Sequence, residues 1–198
     1  MSKISRKEET RKNLLDAFWS LYVEKPLEKI TVKEITDLAG YNRGTFYTYF
    51  SDVYEVLEIQ KAAVMPTEDM ILDPLKEIRE NGGKVEESLN GVSDYINEHG
   101  DRIAILLGPE GDPRFPHEMK ARVRQIIMNF VHELGIREEI EYEYIIEYHI
   151  SGMINMYQLW VENGQNLTEH ELSALYERVA HIGTLNITNS MLNDRDNP

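Results

Sequence analysis

The chain contains no cysteine, which excludes a disulfide framework and any chemistry that needs a thiolate. It also has no apolar run of about eighteen residues and no basic leader followed by an apolar segment, so neither a membrane span nor a secretory signal is predicted. Nothing alternates with a period of two, so no sheet is expected. With 41% hydrophobic and 28% charged residues, the composition is that of a folded protein, for which a cytoplasmic location is the simplest interpretation.

A basic excess is missing as well, because the formal net charge is −14 at pH 7. Such a charge disfavours a nucleic-acid partner, whose phosphates are neutralised by lysine and arginine. The acidity is uneven, however: residues 1–50 carry nine Lys or Arg against seven Asp or Glu, a net +2 that leaves −16 for residues 51–198. A nucleic-acid site is therefore favoured at the N-terminal end, and the acidic remainder would help to orient that end on DNA.

Two short helices separated by a glycine are predicted in this N-terminal part. The first begins at Thr31, whose hydroxyl can accept from a backbone N–H of the first turn while Glu34 reaches back to the cap N–H. Gly40 permits the left-handed conformation that ends a helix, and Asn42 caps the second helix. The side chains predicted to face the core are Val32, Ile35, Leu38 and Ala39 in the first helix and Phe46 and Phe50 in the second.

The opposite face of the second helix carries hydroxyl and aromatic groups beside an arginine, an unusual choice for a merely solvated surface. Hydroxyls can donate to phosphate oxygens, Arg43 can reach a phosphate or a guanine edge, and Gly44 allows a close backbone approach. These residue types, at this spacing, predict a helix that reads a DNA groove.

The stretch Y-N-R-G-T-F-Y-T-Y-F resembles the recognition-helix signature of TetR-family transcriptional regulators, with a match over residues 10–57. One position departs from the family: the lysine that usually begins the next helix is replaced by Val53, so a phosphate contact is missing or is supplied by backbone N–H groups near Asp52. The resemblance implies DNA contacts, mostly at phosphates, for Thr31, Arg43, Thr45, Tyr47 and Tyr49, and Asn42, Gly44 and Thr48 complete the candidate DNA-binding set.

Residues 51–198 are predicted to form an entirely helical body with breaks at Pro74, Gly100 and Gly135 and at residues 81–83 and 108–116. The loop at residues 106–115 lacks the lysine and Ser/Thr of a phosphate loop, which favours an ordinary connector. Its sequence, L-L-G-P-E-G-D-P-R-F, and the W-V-E-N-G stretch at residues 160–164 resemble the body of one TetR subgroup.

Two long helices are predicted to close the chain, at residues 139–163 and 168–192. The first is apolar around nearly its whole circumference, which predicts burial on more than one side. The second begins with Thr168 and Glu171 as a capping box. In TetR relatives these two helices pack against their copies as a four-helix bundle, so the resemblance implies a homodimer, which also suits two half-sites about one helical turn apart.

A pocket for a small-molecule effector is a further implication of the resemblance. Methionine adapts to irregular ligands, and tyrosine combines an apolar ring with a polar tip, so both suit a small apolar molecule. As core or interface residues the same side chains need no ligand, and this alternative stays open. The candidate pocket residues are Tyr142, Tyr148, His149, Met153, Met156, Tyr157 and Trp160.

No catalytic, metal or cofactor site is predicted. The six His residues are scattered without ligand spacing, and the glutamates at residues 138–147 suit a helix start, where carboxylates complement the macrodipole. No nucleophile or acid/base set stands out, so an enzyme is not expected.

The sequence thus predicts an all-α protein with a three-helix DNA-binding head (residues 1–50) and a helical dimerisation and effector-binding body (residues 51–198). The expected function is a ligand-responsive repressor that binds double-stranded operator DNA of near-palindromic sequence as a dimer. Two alternatives stay open. One is an activator or co-activator of the same family, and the other is a helical ligand- or partner-binding module that has lost specific DNA binding.

Overall fold

A computed structural model describes residues 5–81, 90–135 and 139–180, and all regular secondary structure in these residues is helical. The all-α prediction is therefore confirmed. The chain divides into two compact units, Met1–Met65 and Pro66–Pro198. The sequence analysis drew the boundary at Phe50, whereas this division groups the helix that follows Phe50 with the first unit. In the part of the chain that the structure describes, no helix is long and apolar enough to cross a bilayer.

The first unit contains α1 (Arg6–Glu24), a 3₁₀ turn (Leu27–Lys29), α2 (Val32–Ala39), α3 (Arg43–Tyr49) and α4 (Val53–Ala63). Each α-helix begins at a side chain that accepts a hydrogen bond from a backbone N–H of its first turn, which satisfies a donor that the helix itself leaves unpaired. These four N-caps are Ser5, Thr31, Asn42 and Asp52, of which Thr31 and Asn42 are the predicted ones.

Two side-chain hydrogen bonds fix the packing of the first unit, in which α1 lies against both α2 and α4. The Asn13 amide donates to the Tyr41 hydroxyl at 3.1 Å, which ties α1 to the turn between α2 and α3. The Gln60 amide donates to the Leu15 carbonyl at 2.8 Å, which ties α4 to α1. The core between these helices is apolar and includes the fully buried Leu14, Phe18, Ile35, Phe46 and Val56.

The buried face of α2 differs from the predicted one at two residues. Leu38 was expected in the core but is 57% exposed, and Thr36 is buried instead. In an α-helix Thr36 lies nearer than Leu38 to the direction shared by Val32, Ile35 and Ala39. The Thr36 hydroxyl tolerates burial because it donates to the carbonyls of the preceding turn, at 2.9 and 3.0 Å.

The second unit contains α5 (Glu68–Asn81), α6 (Asn90–Leu107), α7 (Phe115–Glu133), α8 (Glu139–Glu162) and α9 (Glu169–Ala180). Helix α8 is central, since it packs against α6, α7 and α9. The helix predicted at residues 139–163 is therefore confirmed. The capping box that opens α9 is formed as predicted, because the Thr168 hydroxyl and the Glu171 carboxylate each accept a backbone N–H from the other residue. Residues 181–192 of the last predicted helix lie outside the described residues.

Two of the predicted helix breaks are wrong. Pro74 lies inside α5 and Gly100 lies inside α6. Proline removes one helical hydrogen bond, and glycine costs about 1 kcal/mol relative to alanine. Packing outweighs both penalties: α5 lies against α7 and buries Leu72, and the Gly100 carbonyl accepts a hydrogen bond from the Tyr157 hydroxyl at 2.9 Å. Of the predicted break at residues 108–116, residues 108–114 lie between helices, whereas residues 115 and 116 begin α7. The break at Gly135 is present, and residues 82 and 83 lie outside the described residues.

The loop between α6 and α7 is tightly built. A Cβ atom on Gly111 would lie 2.2 Å from the Leu106 carbonyl oxygen, so only glycine fits at this position. The Asp112 carboxylate is 8% exposed and accepts from the backbone N–H of Arg114 at 3.0 Å and from its guanidinium at 3.2 and 3.3 Å. These contacts explain the loop sequence without a bound phosphate.

Candidate DNA-binding surface and cavity of the second unit

The position of α3 is fixed by its two ends and by its buried side. Gly40 adopts a left-handed conformation with φ of 75°, and the N–H of Tyr41 donates to the Thr36 carbonyl at 2.8 Å, so the chain turns sharply into the next helix. Asn42 then accepts from the backbone N–H of Thr45 at 2.9 Å. Phe46, 0% exposed, anchors the helix in the core and leaves its other face to solvent.

Arg43 and Tyr47 lie one turn apart on that exposed face. Tyr47 is 58% exposed, and Arg43 is exposed as well. Within the described residues neither side chain forms a hydrogen bond or an ion pair, so the guanidinium and the phenolic hydroxyl are both available to a ligand. A planar guanidinium suits phosphate oxygens or a guanine edge, and a phenol can donate to phosphate.

The three threonine hydroxyls of the predicted DNA-binding set already donate within the protein. Because these donors are occupied, the threonines can offer a phosphate a proton only after rotation or loss of an existing bond. The bonds run from Thr31 to the Glu34 carboxylate at 2.8 Å, from Thr45 to the Asn42 side chain at 3.3 Å and from Thr48 to the Gly44 carbonyl at 3.0 Å.

The remaining predicted residues have visible structural roles. Asn42 is the N-cap of α3, and a Cβ atom on Gly44 would lie 3.1 Å from the Asn42 side-chain oxygen, so Gly44 makes room for the cap. Tyr49 is half-buried, with its ring centroid 6.2 Å from that of Phe50. Seven of the eight candidate DNA-binding residues thus lie in α3 and its N-cap, while Thr31 caps α2. Arg43 and Tyr47 are the exposed members of the set whose side-chain donors form no hydrogen bond within the described residues.

An ion pair that the sequence analysis missed holds the start of α2. The Lys25 ammonium donates to one oxygen of Glu34 at 2.6 Å, while the other Glu34 oxygen accepts from the backbone N–H of Thr31 at 3.0 Å. The Lys25 bond, followed by the Thr31 bonds, lowers the pKa of Glu34 to about 2. The capping box was visible in the sequence, but no local pattern marks a partner nine residues away.

The start of α4 carries negative charge at the place where the family usually has lysine. The Asp52 carboxylate accepts from the N–H of Glu55 at 2.8 Å, and the Glu55 carboxylate accepts from the N–H and hydroxyl of Ser51, both at 2.6 Å. The Ser51 bonds are the largest cause of the lowered pKa of Glu55, and the positive charge of Arg11 adds to them. The backbone N–H groups of Ser51 and Glu55 already donate to carboxylates. They are therefore not free to replace the phosphate contact of the missing lysine.

The second unit contains a small apolar cavity between α6, α7 and α8. Its volume is about 50 Å³. Burial raises the pKa of both tyrosines that line it, so their hydroxyls stay protonated. The lining residues are Tyr95, Ile103, Leu107, Met119, Met153, Ile154 and Tyr157.

Of the seven candidate effector residues, Met153 and Tyr157 line this cavity. Tyr142 and Trp160 are buried, while His149 and Met156 are half-buried. The Trp160 indole N–H donates to the Leu167 carbonyl at 2.8 Å, and its ring centroid is 5.1 Å from that of Tyr157. Tyr148 is 67% exposed and does not line the cavity. The lining residues on α6 and α7 were missed, because helical periodicity identifies a buried face but not the faces that it meets.

Helix α8 packs against α6, α7 and α9, and one of its sides stays exposed within the single chain. The side opposite its buried face carries a stripe of large exposed hydrophobic residues, which we call the α8 stripe. An apolar stripe of this size is more typical of an interaction surface than of a solvated helix. Its members and their exposed fractions are Ile140 (68%), Tyr144 (76%), Tyr148 (67%) and Leu159 (57%).

No group of three or more metal-ligating side chains occurs in the residues that the structure describes. The candidate site is instead a short capped helix that presents unpaired donors at one face, on a unit whose α2–turn–α3 geometry is that of a helix-turn-helix. This fold and surface define a DNA-binding protein of the helix-turn-helix class.

Comparison with known proteins gives the family. Residues 14–58 match a sequence model described as "Bacterial regulatory proteins, tetR family", and residues 83–181, half of the chain, match one described as "Transcriptional regulator C-terminal region". The chain belongs to the TetR family of transcriptional regulators. Its members are DNA-binding regulators rather than enzymes, in agreement with the sequence analysis.

Individual relatives agree with this assignment. An uncharacterized HTH-type transcriptional regulator of Haemophilus influenzae is 25% identical over 181 residues, covering 88% of this chain and 86% of the relative. The NalD structure from Pseudomonas aeruginosa covers 89% of this chain and 97% of its own, with a TM-score of 0.66 at 16% identity. The structure of a TetR transcriptional regulator from Streptococcus agalactiae covers 86% of this chain and 93% of its own, with a TM-score of 0.57 at 23% identity. At these identities the two structures support the fold alone.

Proposed function

We propose that this regulator is a ligand-responsive repressor that binds a near-palindromic operator as a homodimer through α3. The observation that carries the proposal is the pair Arg43 and Tyr47, which lie on one exposed face with donor groups that no described residue occupies. A recognition helix needs such groups, because phosphate contacts position it and base-edge contacts give specificity. A DNA partner suits the proposed cytoplasmic location.

The α8 stripe supports the dimer. Four large hydrophobic side chains on one helix face lose water contact if a second copy covers them, and each buried Å² of apolar surface is worth about 25 cal/mol. Val179 of α9, 48% exposed, would extend the same kind of surface onto the neighbouring helix. A two-fold dimer presents two recognition helices to two half-sites, which accounts for a near-palindromic operator.

The cavity between α6, α7 and α8 is the proposed effector site. An effector that binds one arrangement of the second unit more tightly shifts the population toward it, and an arrangement that misplaces the two recognition helices releases DNA. The fold neighbour NalD is described as the secondary repressor of a multidrug efflux pump, which supports repression here by analogy of fold only.

A second candidate function is a ligand- or partner-binding module that has lost specific DNA binding. The observation in its favour is the start of α4, where Val53 replaces the family lysine and the Asp52 and Glu55 carboxylates occupy backbone N–H groups. Two negative charges at this position repel a phosphate backbone.

The test is fluorescence anisotropy of the purified protein with duplexes tiled across the DNA that flanks its gene, at two salt concentrations and beside a scrambled duplex. We expect salt-sensitive binding to one near-palindromic segment, about 10³-fold or more tighter than to the scrambled control. Tyr47→Phe and Arg43→Ala are expected to weaken this binding. The control Arg122→Ala, which alters an exposed arginine of the second unit, should not.

Equally weak binding to every duplex, with all variants alike, would instead support the second candidate. Where one segment binds tightly, repression is tested with that segment placed before a reporter gene: a repressor lowers expression, whereas an activator raises it.

A further inference from the structure

The guanidinium of Arg11 lies over the ring of Phe50, 5.7 Å from the ring centroid. This distance is typical of a cation–π contact, in which the negative face of the ring attracts the charge. Phe50 is the C-cap of α3 and is 2% exposed. A side chain of α1 is thus held against the C-terminal end of the helix that is proposed to read DNA.

The sequence of α1 directs Arg11 to this place. Arg11 precedes Leu14 by three positions and Phe18 by seven, so its side chain leaves α1 on the side that these two buried residues share. Leu14 is the first buried residue of α1, so Arg11 lies where the core meets solvent. Its apolar stem covers the edge of the core while the charged end stays exposed.

The Arg11 guanidinium forms no hydrogen bond or ion pair with the residues that the structure describes, so its N–H donors are available to a ligand. The contact with Phe50 restrains the guanidinium, which reduces the rotamer freedom that is lost when an anion binds. A planar guanidinium can contact a phosphate through two parallel hydrogen bonds.

The charges at the start of α4, beside Arg11, are negative. The Ser51 hydrogen bonds and, to a smaller extent, the positive charge of Arg11 lower the pKa of Glu55, so Arg11 is within electrostatic range of this carboxylate. Asp52 and Glu55 form the N-cap and first turn of α4 without a lysine or arginine of their own. Arg11 therefore supplies positive charge where α3 ends and α4 begins.

Arg43 and Arg11 lie at opposite ends of α3. Arg43 is the first residue of the helix, and Phe50 follows it by seven positions, about 10 Å along the helix axis. Tyr47 precedes Phe50 by three positions, which makes the two residues neighbours on the helix surface. The major groove of DNA is about 12 Å wide and has a phosphate backbone on each side, so a short helix in the groove brings both of its ends near phosphates.

We propose that Arg11 is a DNA-binding residue outside the recognition helix: its guanidinium contacts a backbone phosphate beside the C-terminal end of α3 and adds affinity without sequence preference. This inference rests on the proposed DNA-binding function and extends its contact set to α1. A phosphate is the expected partner, rather than a base edge, because the end of a helix in the groove meets the backbone that borders it.

The test is fluorescence anisotropy of the full chain with the tightest-binding duplex of the tiled set and with a scrambled duplex, each over a salt series. Arg11→Met and Arg11→Gln both remove the charge and keep a long, unbranched side chain over Phe50. We expect each to bind both duplexes about three- to tenfold more weakly at 0.1 M salt and to flatten the slope of log K against log salt by about 1. Arg11→Lys keeps a cation and should retain the wild-type slope.

Lys12→Met is the matched control. Lys12 is also exposed, but its side chain leaves α1 about 100° further round the helix than that of Arg11 and pairs with Asp16 at 2.6 Å. This variant should keep the wild-type slope. An equal loss in Lys12→Met and Arg11→Met would show that only net charge matters and would overturn the contact of Arg11.

A Glu55→Gln background separates a phosphate contact from relief of repulsion. If Arg11 only offsets the Glu55 carboxylate, Arg11→Met has no effect on DNA binding in this background, and the inference is overturned. A direct contact predicts that the loss of affinity persists there. Circular dichroism should show wild-type helicity for every variant, because none of the substitutions removes a fully buried side chain.

Failure of this inference and failure of the proposed function give different results. Equal binding of the wild type to every duplex would contradict a specific regulator, whereas a flatter slope for Arg11→Met on the scrambled duplex would still support the contact, because non-specific binding uses phosphates as well. Tight binding to one segment, with unchanged affinity and slope in Arg11→Met, would overturn the inference and leave the regulator standing. A loss confined to the specific duplex would indicate a base contact and would overturn the assignment to phosphate.

Discussion

The Lys25 ammonium lies 2.6 Å from a carboxylate oxygen of Glu34, and this contact joins the chain after α1 to the first turn of α2. Glu34 also closes the capping box with Thr31, one of the residues that the family resemblance assigns to DNA. The same carboxylate therefore positions a helix start and a candidate phosphate contact. Its interactions make the first unit sensitive to acid.

Replacement of Glu34 by glutamine should destabilise the first unit in a pH-dependent way. The pKa of Glu34 in the folded protein is about 2, below the ordinary value of 4.5. Its contribution is therefore fully present above about pH 5 and is lost as the pH falls through 2. The Tm of Glu34→Gln, followed by circular dichroism, should lie below that of the wild type at pH 6 and converge with it near pH 2.

A Lys25→Gln background provides the control for this prediction. Because the Lys25 bond is the first cause of the lowered pKa, its removal should diminish the effect of Glu34→Gln at pH 6. A Glu34→Gln effect that stays the same in both backgrounds, or that persists at pH 2, would contradict the role assigned to the pair.

Val53→Lys should strengthen DNA binding. The substitution places a cation at the start of α4, beside the Asp52 and Glu55 carboxylates that repel phosphate. One additional phosphate contact should raise affinity about three- to tenfold at 0.1 M salt and steepen the slope of log K against log salt by about 1. Anisotropy titrations over a salt series measure both quantities.

Asn163→Lys controls for the change in net charge, because Asn163 is exposed and lies in the second unit. If both lysine variants bind DNA equally tightly, the gain comes from overall charge, and the position of Val53 has no special importance.

Tyr144→Glu should convert the proposed dimer to a monomer without unfolding it. Tyr144 is the most exposed member of the α8 stripe, at 76%, so a charge there costs little in a single chain but is unfavourable at an apolar interface. Light scattering after size-exclusion chromatography should show a halved mass with unchanged helicity. Leu134→Glu, at an exposed leucine just after α7, should remain dimeric; loss of the dimer in both variants would remove the assignment of the interface to α8.

Gly111→Ala should destabilise the second unit by about 2–4 kcal/mol, because the added Cβ would lie 2.2 Å from a backbone oxygen that cannot move aside freely. Chemical denaturation measures the change. Gly152→Ala is the matched control, since a Cβ there meets nothing within 4 Å and alanine favours the helix by up to about 1 kcal/mol. Equal stability of Gly111→Ala and the wild type would mean that the loop adapts.

Local signals in the sequence predicted the local structure well. Thr31, Asn42 and Thr168 are found as N-caps, because a cap depends on residues within one turn of it. Gly40 and Gly135 adopt the positive φ that a helix end favours. Seven of the eight candidate DNA-binding residues, all except Thr31, are neighbours for the same reason, as they lie within α3 and its N-cap.

Properties that depend on packing were not visible in the same way. Pro74 and Gly100 lie within helices because neighbouring helices stabilise them. The cavity unites residues of α6, α7 and α8 that are far apart in the chain, so no window of sequence could group Tyr95 with Met153. A single amphipathic pattern likewise does not tell whether an apolar face meets the same chain or a second copy.

The pairing of Trp160 with Tyr157 makes the second unit optically distinct. The chain has two tryptophans, Trp19 in the first unit and Trp160 in the second. Trp160 is 4% exposed and lies against the ring of Tyr157, which lines the cavity. In a Trp19→Phe protein all indole emission would arise beside the cavity, so its wavelength and quenching would follow occupancy of the second unit in real time, without a label and without DNA.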